Sequence, residues 1–96
     1  MRDMKWTDTA LTTWGDLMEL IAIENLDQVK KWGYQERTPF EWLAYLTEEV
    51  GELSEAICDE AYGREGESIV KEAVQVATLA LKIAEMSVQG KEHNNG

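Results

Sequence analysis

The chain has 96 residues, and its 19 acidic side chains against 9 basic ones give a formal net charge of −10. A chain of this length has room for one domain, and a hydrophobic content of 44% argues against disorder driven by charge. Its scattered basic residues cannot neutralise a phosphate backbone or an anionic membrane surface. We therefore expect no polymeric nucleic acid and no membrane among its partners, and divalent cations among its ligands.

Cysteine content and hydropathy predict the cellular compartment of the protein. Cys58 is the only cysteine, which excludes an internal disulfide and a cysteine-rich metal site. The first residues, Met1 to Trp6, lack the apolar run of an export signal, and no segment approaches the roughly 20 apolar residues of a membrane span. We expect a cytoplasmic protein.

Apolar residues at steps of three and four predict a first helix from about Thr9 to Lys31, which Gly33 ends. The sequence Thr38-Pro39-Phe40-Glu41 then has the form of a capping box, so a second helix begins there and ends near Gly63. This second helix carries a narrow apolar seam that requires a partner helix. The seam consists of Leu43, Leu46, Val50, Leu53 and Ile57.

A third predicted helix, from Ser68 to Gln89, is apolar nearly all round and should be buried on most sides. The polar segment 90–96 has no periodicity and is predicted to be a disordered tail. Three helices on the order of 30 Å long cannot cover so apolar a helix. The sequence therefore predicts an all-α domain over residues 1–89, a helical bundle of three main helices completed by self-association.

Carboxylates are concentrated on the second predicted helix, at Glu48, Glu49, Glu52 and Glu55. Residues three or four apart on a helix are neighbours, and the helical wheel puts Glu49 at the edge of the apolar seam. The third helix carries one polar stripe at the same steps. Its members are Glu72, Gln75, Thr78, Lys82 and Glu85.

If the two helices bring three carboxylates to about 5 Å, each pair repels by roughly 3 kcal/mol at an effective dielectric constant near 20. A cation or protons must offset that repulsion. Oxygen ligands without Cys or His select hard cations, so Mg²⁺ is the first expectation and Mn²⁺ the second. Such glutamate patterns also occur on helix faces where the charges simply meet water.

The segment EEVGELSEAI (48–57), followed by KEAVQVATLALKI (71–83), resembles the MazG-like all-α nucleotide pyrophosphohydrolases. The mark of that family is E-x-x-E on one helix and E-x-x-D on the next. Glu49 and Glu52 match the first half, and Glu72 the start of the second. Gln75 stands where the family has Asp, and its carbonyl oxygen can reach a metal without bringing charge. The resemblance covers about Lys30 to Met86.

This resemblance implies an all-α fold like that of the family's NTP pyrophosphatases and cleavage of a nucleoside triphosphate between its α and β phosphates. It implies Glu49, Glu52 and Glu72 as metal ligands and Gln75 as a weaker ligand. Glu52 therefore also counts as catalytic, together with Glu48, which is expected as a second-metal ligand or general base. A dimer or tetramer is the family expectation.

Three further residues are candidates for binding the substrate. Lys71 and Lys82 are expected to meet phosphate groups, although each can equally be an ordinary surface charge. Trp32 offers an aromatic face for a nucleobase, although tryptophan at helical spacing usually packs in a core.

Two other functions stay open on the sequence. Phosphoribosyl-ATP pyrophosphohydrolases use a related fold and cleave a similar bond, but no extra basic set for a second phosphorylated sugar is visible here. The other alternative is a non-catalytic helical binding or assembly module, in which Gln75 marks a decayed metal site.

Overall fold

The computed structural model of the chain describes Met4 and residues 10–95, with side chains described for Met4 and residues 13–90. In this part of the chain there are helices and no strand: α1 is Ala10–Trp32, α2 is Pro39–Ala61 and α3 is Ile69–Asn95. The predicted all-α class is confirmed. None of these helices combines the length and apolar character that a membrane span requires.

The boundaries of α1 and α2 lie where turn and cap residues predicted them. The Thr38 hydroxyl accepts from the backbone N–H of Glu41 at 3.2 Å, and the Glu41 carboxylate accepts from the Thr38 N–H at 3.0 Å. This is the reciprocal capping box, with Pro39 at the first helical position. Gly33 (φ 71°) and Gly63 (φ 68°) follow α1 and α2 in the left-handed conformation that glycine adopts without strain.

Helix α3 is longer than predicted. Its backbone stays helical through Gly90 as far as Asn95, where the sequence predicted a disordered tail from residue 90. Polar residues without periodicity have no face to bury, but they do not prevent a helix from continuing. Once a helix has formed, each added residue gains a backbone hydrogen bond at little further cost. Gly96 lies outside the described residues.

Helix α3 is the centre of the fold, because α1 and α2 each pack against it and, in the described part of the chain, not against each other. Its most buried side chains come from the polar stripe: Glu72 is 4% exposed and Thr78 is 2% exposed. The Thr78 hydroxyl is satisfied by donating to the Val74 carbonyl at 2.7 Å. From Glu72 to Lys82 the polar stripe of α3 therefore faces inward, whereas Glu85 is exposed.

Part of the apolar surface of α3 is correspondingly left open, although Leu79 is buried. Val70, Leu81 and Val88 are 52%, 50% and 56% exposed, so the expectation that α3 is buried on most sides is not met within one copy of the chain. The physical reason is geometric: two neighbours cover only part of a helix circumference, and here they cover the part that carries the polar stripe.

Helix α2 is rotated relative to the predicted seam. Its fully buried residue is Ala56, and Glu49 is half-buried, while Leu43, Val50 and Ile57 remain between 39% and 57% exposed. The remaining seam residues are half-buried. The contact with α3 is therefore displaced from the middle of the apolar seam toward the glutamates, which carries Glu49 into the interface.

Candidate metal centre

Three glutamates from two helices meet where α2 packs against α3. Glu49 and Glu52 from α2 and Glu72 from α3 each offer a carboxylate oxygen, and these oxygens all lie within 4.8 Å of one another. Glu72 is buried, Glu49 is half-buried and Glu52 is exposed, so the cluster runs from the interior to the surface. The structure thus brings together the three carboxylates that the sequence singled out.

The cluster brings three carboxylates together without a described ion pair to a basic side chain. Among the described residues, no lysine or arginine forms an ion pair with Glu72, which is 4% exposed. Burial, with the neighbouring Glu52 and Glu72 carboxylates, raises the pKa of Glu49 to about 7. Burial and the Glu52 carboxylate also raise the pKa of Glu72. Such a group of carboxylates favours binding of a cation or a proton.

Gln75 lies directly against this cluster, one turn along α3 from Glu72. Its amide faces two carboxylates, and an oxygen in that place would meet only acceptors, so the facing atom is assigned as the nitrogen. The nitrogen then donates to Glu49 Oε2 at 3.2 Å and to Glu72 Oε2 at 3.0 Å. Gln75 therefore joins the two helices at the cluster without adding charge.

A groove of about 400 Å³ opens beside the cluster, between the end of α1, the loop at residues 33–38 and the facing sides of α2 and α3. It combines three aromatic rings, two cationic side chains and two carboxylates. These are Trp32, Trp42, Tyr45, Arg37, Lys82, Glu48 and Glu49. Gln75 lines the groove as well, so the groove and the carboxylate cluster share a wall.

Arg37 is a groove residue that the sequence analysis did not identify. Its guanidinium carbon lies 4.6 Å from the centre of the Tyr45 ring and 5.9 Å from that of Trp42. Its Nε is buried and has no hydrogen-bond partner among the described residues, which leaves a donor unsatisfied at appreciable cost. The sequence did offer one indication that Arg37 lies near the site. Arg37 directly precedes the capping residue Thr38, which puts it beside the first turn of α2.

Lys82 is held at the groove by a contact between α3 and α1. Its ammonium donates to the side-chain oxygen of Gln28 at 2.7 Å, and the Gln28 amide nitrogen donates to Glu24 at 3.0 Å. Burial lowers the pKa of Lys82, against the opposing effect of the Glu24 and Glu85 carboxylates. Gln28 was also missed by the sequence analysis, because nothing in the α1 pattern shows which residue faces Lys82.

The remaining predicted site residues divide between the groove and the outer surface. Trp32 lines the groove with 57% of its surface exposed, and the Lys31 ammonium lies 4.7 Å from its ring centre. Glu48 lines the same groove on its exposed side. Lys71 is not among the residues that line it; its exposed ammonium pairs with Glu67 at 3.0 Å.

On its other side the cluster borders an acidic hollow of about 480 Å³. Six carboxylates line this acidic hollow: Glu52, Glu55, Asp59, Glu65, Glu67 and Glu72. A larger hollow of about 720 Å³ lies next to it at the α2–α3 link and shares several of these acids. Neither surface suits a phosphate group. A concentration of negative charge does attract cations.

Comparison with models of known protein families, with curated proteins and with solved structures finds no match to this chain.

Proposed function

We propose that the chain is a Mg²⁺-dependent nucleoside triphosphate pyrophosphohydrolase, which converts a (deoxy)nucleoside triphosphate and water to the monophosphate and pyrophosphate. The observation that carries this proposal is Glu72. It is a carboxylate only 4% exposed, it faces Glu49 and Glu52 within 4.8 Å, and it has no ion pair in the described part of the chain. Beside it lies a groove with aromatic and cationic walls.

The donor set of the cluster fits a hard divalent cation. All its ligand atoms are oxygens, and in the described residues no Cys or His joins the group. At separations near 5 Å each pair of carboxylates repels by roughly 3 kcal/mol at an effective dielectric constant of 20, and a cation reverses that balance. Mg²⁺ binds to a few carboxylates and keeps positions for water and phosphate oxygens, and Mn²⁺ has similar preferences.

The groove fits the rest of a nucleotide. Its volume of about 400 Å³ falls in the usual range for small-molecule sites, roughly 300 to 1,000 Å³. Trp32 presents an exposed ring on which a base can stack, and the unsatisfied Nε of Arg37 offers a hydrogen bond to an anionic or carbonyl oxygen. Lys82 adds a positive charge on the α3 side.

The proposed chemistry follows from this placement. A Mg²⁺ ion at the cluster would neutralise phosphate charge and make a bound water more acidic. Glu48, on the groove side, accepts the proton of the water whose oxygen adds to the α phosphorus. Arg37 and Lys82 hold phosphate oxygens. The bond that breaks joins the α phosphorus to the bridging oxygen, and that oxygen leaves with pyrophosphate.

We also propose that the chain works as a homo-oligomer, a dimer or a tetramer. The exposed residues of the α2 seam, Leu43, Val50 and Ile57, recur every seventh position. On α3 a second apolar row follows alternating steps of four and three, the spacing of helices that pack side by side. It consists of Val70, Val74, Ala77, Leu81, Ala84 and Val88.

Two other functions remain as alternatives. A non-catalytic helical assembly module is favoured by the exposed apolar rows and by the neutral Gln75 at the cluster. A phosphoribosyl-ATP pyrophosphohydrolase requires cations for a second phosphorylated sugar, and the groove offers Arg37 and Lys82 alone among its described lining residues. The nucleoside triphosphate therefore remains the first substrate to test.

The test is release of pyrophosphate from a panel of ribo- and deoxyribonucleoside triphosphates and from phosphoribosyl-ATP, with Mg²⁺ or with chelator. Glu52→Gln removes one cluster carboxylate, and Glu36→Gln, an exposed loop residue, is its matched control. Mg²⁺-dependent turnover that Glu52→Gln abolishes and Glu36→Gln retains supports the proposal. Folded protein without turnover on any nucleotide favours the assembly module.

A further inference from the structure

The geometry of Gln75 points to a role that a carboxylate in its place could not perform. We propose that the Gln75 amide clamps Glu49 to Glu72 through its nitrogen when no metal is bound, and turns its oxygen toward the cluster when a cation enters. This inference rests on the proposed function, since it assumes that the cluster binds a divalent cation. Gln75 would then position Glu49 and Glu72 in the metal-free protein and act as a ligand itself when the cation is bound.

The clamp follows from the two contacts of the amide nitrogen. It lies 3.2 Å from Glu49 Oε2 and 3.0 Å from Glu72 Oε2, and each N–H of the amide can serve one carboxylate. Glu49 belongs to α2 and Glu72 to α3, so the amide spans the interface. Hydrogen bonds to ionised acceptors are stronger than bonds between neutral groups. An Asp in this place would instead add another negative charge to a cluster that has no ion pair with the described lysines and arginines.

The same distances support the proposed rotation of the Gln75 amide. Six oxygens arranged around Mg²⁺ at 2.0–2.1 Å lie about 3.0 Å from their neighbours in the octahedron. The facing atom of Gln75 is already 3.0 Å and 3.2 Å from two carboxylate oxygens, so it occupies the position of an adjacent ligand. The terminal torsion of glutamine is broad and roughly two-fold, so a half turn exchanges nitrogen and oxygen with little displacement of the side chain.

The first measurement is thermal unfolding of wild-type protein, Gln75→Met and Gln89→Met in chelator and in saturating Mg²⁺. Gln89 is the matched control, because it donates to Glu85 at 3.1 Å on the exposed surface of the same helix. In chelator we expect Gln75→Met to lower the unfolding midpoint by about 5 °C or more, and Gln89→Met to change it by less than about 2 °C. Equal midpoints for both variants would overturn the clamp.

The second measurement follows the side-chain amide directly, by NMR of protein labelled with ¹⁵N-glutamine. The Gln75 signal is identified by its loss in Gln75→Met, and the Gln89 signal is the internal reference. In chelator the Gln75 amide protons should exchange slowly with water. Mg²⁺ should shift their resonances and make their exchange with water fast. If Mg²⁺ raises the unfolding midpoint but leaves the Gln75 signal unchanged, the metal binds and the proposed rotation of the Gln75 amide is wrong.

A third outcome separates this inference from the proposed function. If Mg²⁺ changes neither the wild-type midpoint nor any glutamine signal, the proposed function and the turn of the amide both fail. The hydrogen-bond clamp can still be tested in that case, because its test is the unfolding midpoint in chelator. A lower midpoint for Gln75→Met there supports it.

Discussion

The ammonium of Lys82 donates a hydrogen bond to the side-chain oxygen of Gln28 at 2.7 Å, and this bond ties α3 to α1 beside the groove. Lys82 is partly buried there, and the same contact holds the end of α1, with Trp32, close to the groove. One side chain thus contributes both to the packing of α1 and to the charge that a phosphate group would meet.

Lys82→Met is expected to lower stability and weaken substrate binding together. Methionine keeps the aliphatic part of the side chain and no longer buries an ammonium, but it loses the bond to Gln28; because the burial that lowers the pKa of Lys82 offsets part of that bond, the net contribution to the free energy of unfolding is about 1 kcal/mol. We expect a loss of this size in denaturant unfolding and a rise in KM of roughly tenfold. For the stability comparison, Lys71→Met removes an exposed ion pair with Glu67 and should change the free energy of unfolding much less than Lys82→Met does.

The stability of the metal-free protein should fall as the pH rises. The folded protein holds the Glu49 proton with a pKa of about 7, against 4.5 for an ordinary glutamate, so the folded state binds more protons than the unfolded state between these values. Its contribution is therefore fully present below about pH 4.5 and is lost as the pH rises through about 7. Denaturant unfolding in chelator at pH 5 and pH 7.5 measures this.

Glu49→Gln is the control for that pH dependence, since the amide does not titrate. If the fall in stability between pH 5 and 7.5 is as large in Glu49→Gln as in the wild-type protein, other groups cause it. Metal binding should have the opposite dependence, because the ligand must be deprotonated. We expect Mg²⁺ affinity to rise up to about pH 7 and to level off above it.

Trp32→Ala should weaken substrate binding and leave the fold nearly unchanged. The ring is 57% exposed, so its removal uncovers little core, whereas stacking of a base on an aromatic ring contributes roughly 1 to 3 kcal/mol. We expect KM for a nucleoside triphosphate to rise about tenfold or more. Phe40→Ala is the control, because Phe40 is 81% exposed and does not line the groove. Equal effects of the two substitutions would exclude stacking on Trp32.

The exposed rows on α2 and α3 should form the contact between copies of the chain. Val50 is 44% exposed at the middle of the α2 seam, and a glutamate there would place a charge in the proposed interface. We expect Val50→Glu to reduce the mass measured by light scattering to that of a monomer. Tyr34→Glu, at a loop residue that is 94% exposed, should keep the wild-type mass. A wild-type protein that is monomeric at all concentrations would contradict the proposal that these rows form a contact between copies of the chain.

Local sequence patterns predicted the elements of the fold well. Thr38 and Glu41 form the expected capping box, and Gly33 and Gly63 follow the helices that they were expected to end. These features depend on residues close together in the chain, so the sequence contains all of the information. The juxtaposition of Glu49 and Glu72 was expected from the resemblance to a family motif, and helical spacing alone showed only that each lies on a polar face of its helix.

Features that depend on how the helices rotate against each other were not predictable in the same way. The apolar seam of α2, with Val50 at its middle, was expected to face a partner helix, yet Glu49 and Ala56 lie toward α3 and Val50 is exposed. The sequence predicted that three helices cannot cover all the apolar residues, but it did not show which apolar row would be left on the outer surface. The contacts of Arg37 depend on a loop conformation, and no periodicity predicts a loop.

The most direct test of this account is a calorimetric titration of Mn²⁺ into wild-type protein, Glu72→Gln and Glu55→Gln at pH 7.5. Glu72 is the buried member of the cluster, and Glu55 is an exposed carboxylate of α2 that lines the acidic hollow. We predict saturable binding to the wild-type protein, at least tenfold weaker binding to Glu72→Gln, and nearly unchanged binding to Glu55→Gln. Absence of saturable binding to the wild-type protein, or equal affinity in Glu72→Gln, would contradict the claim that this cluster holds the metal.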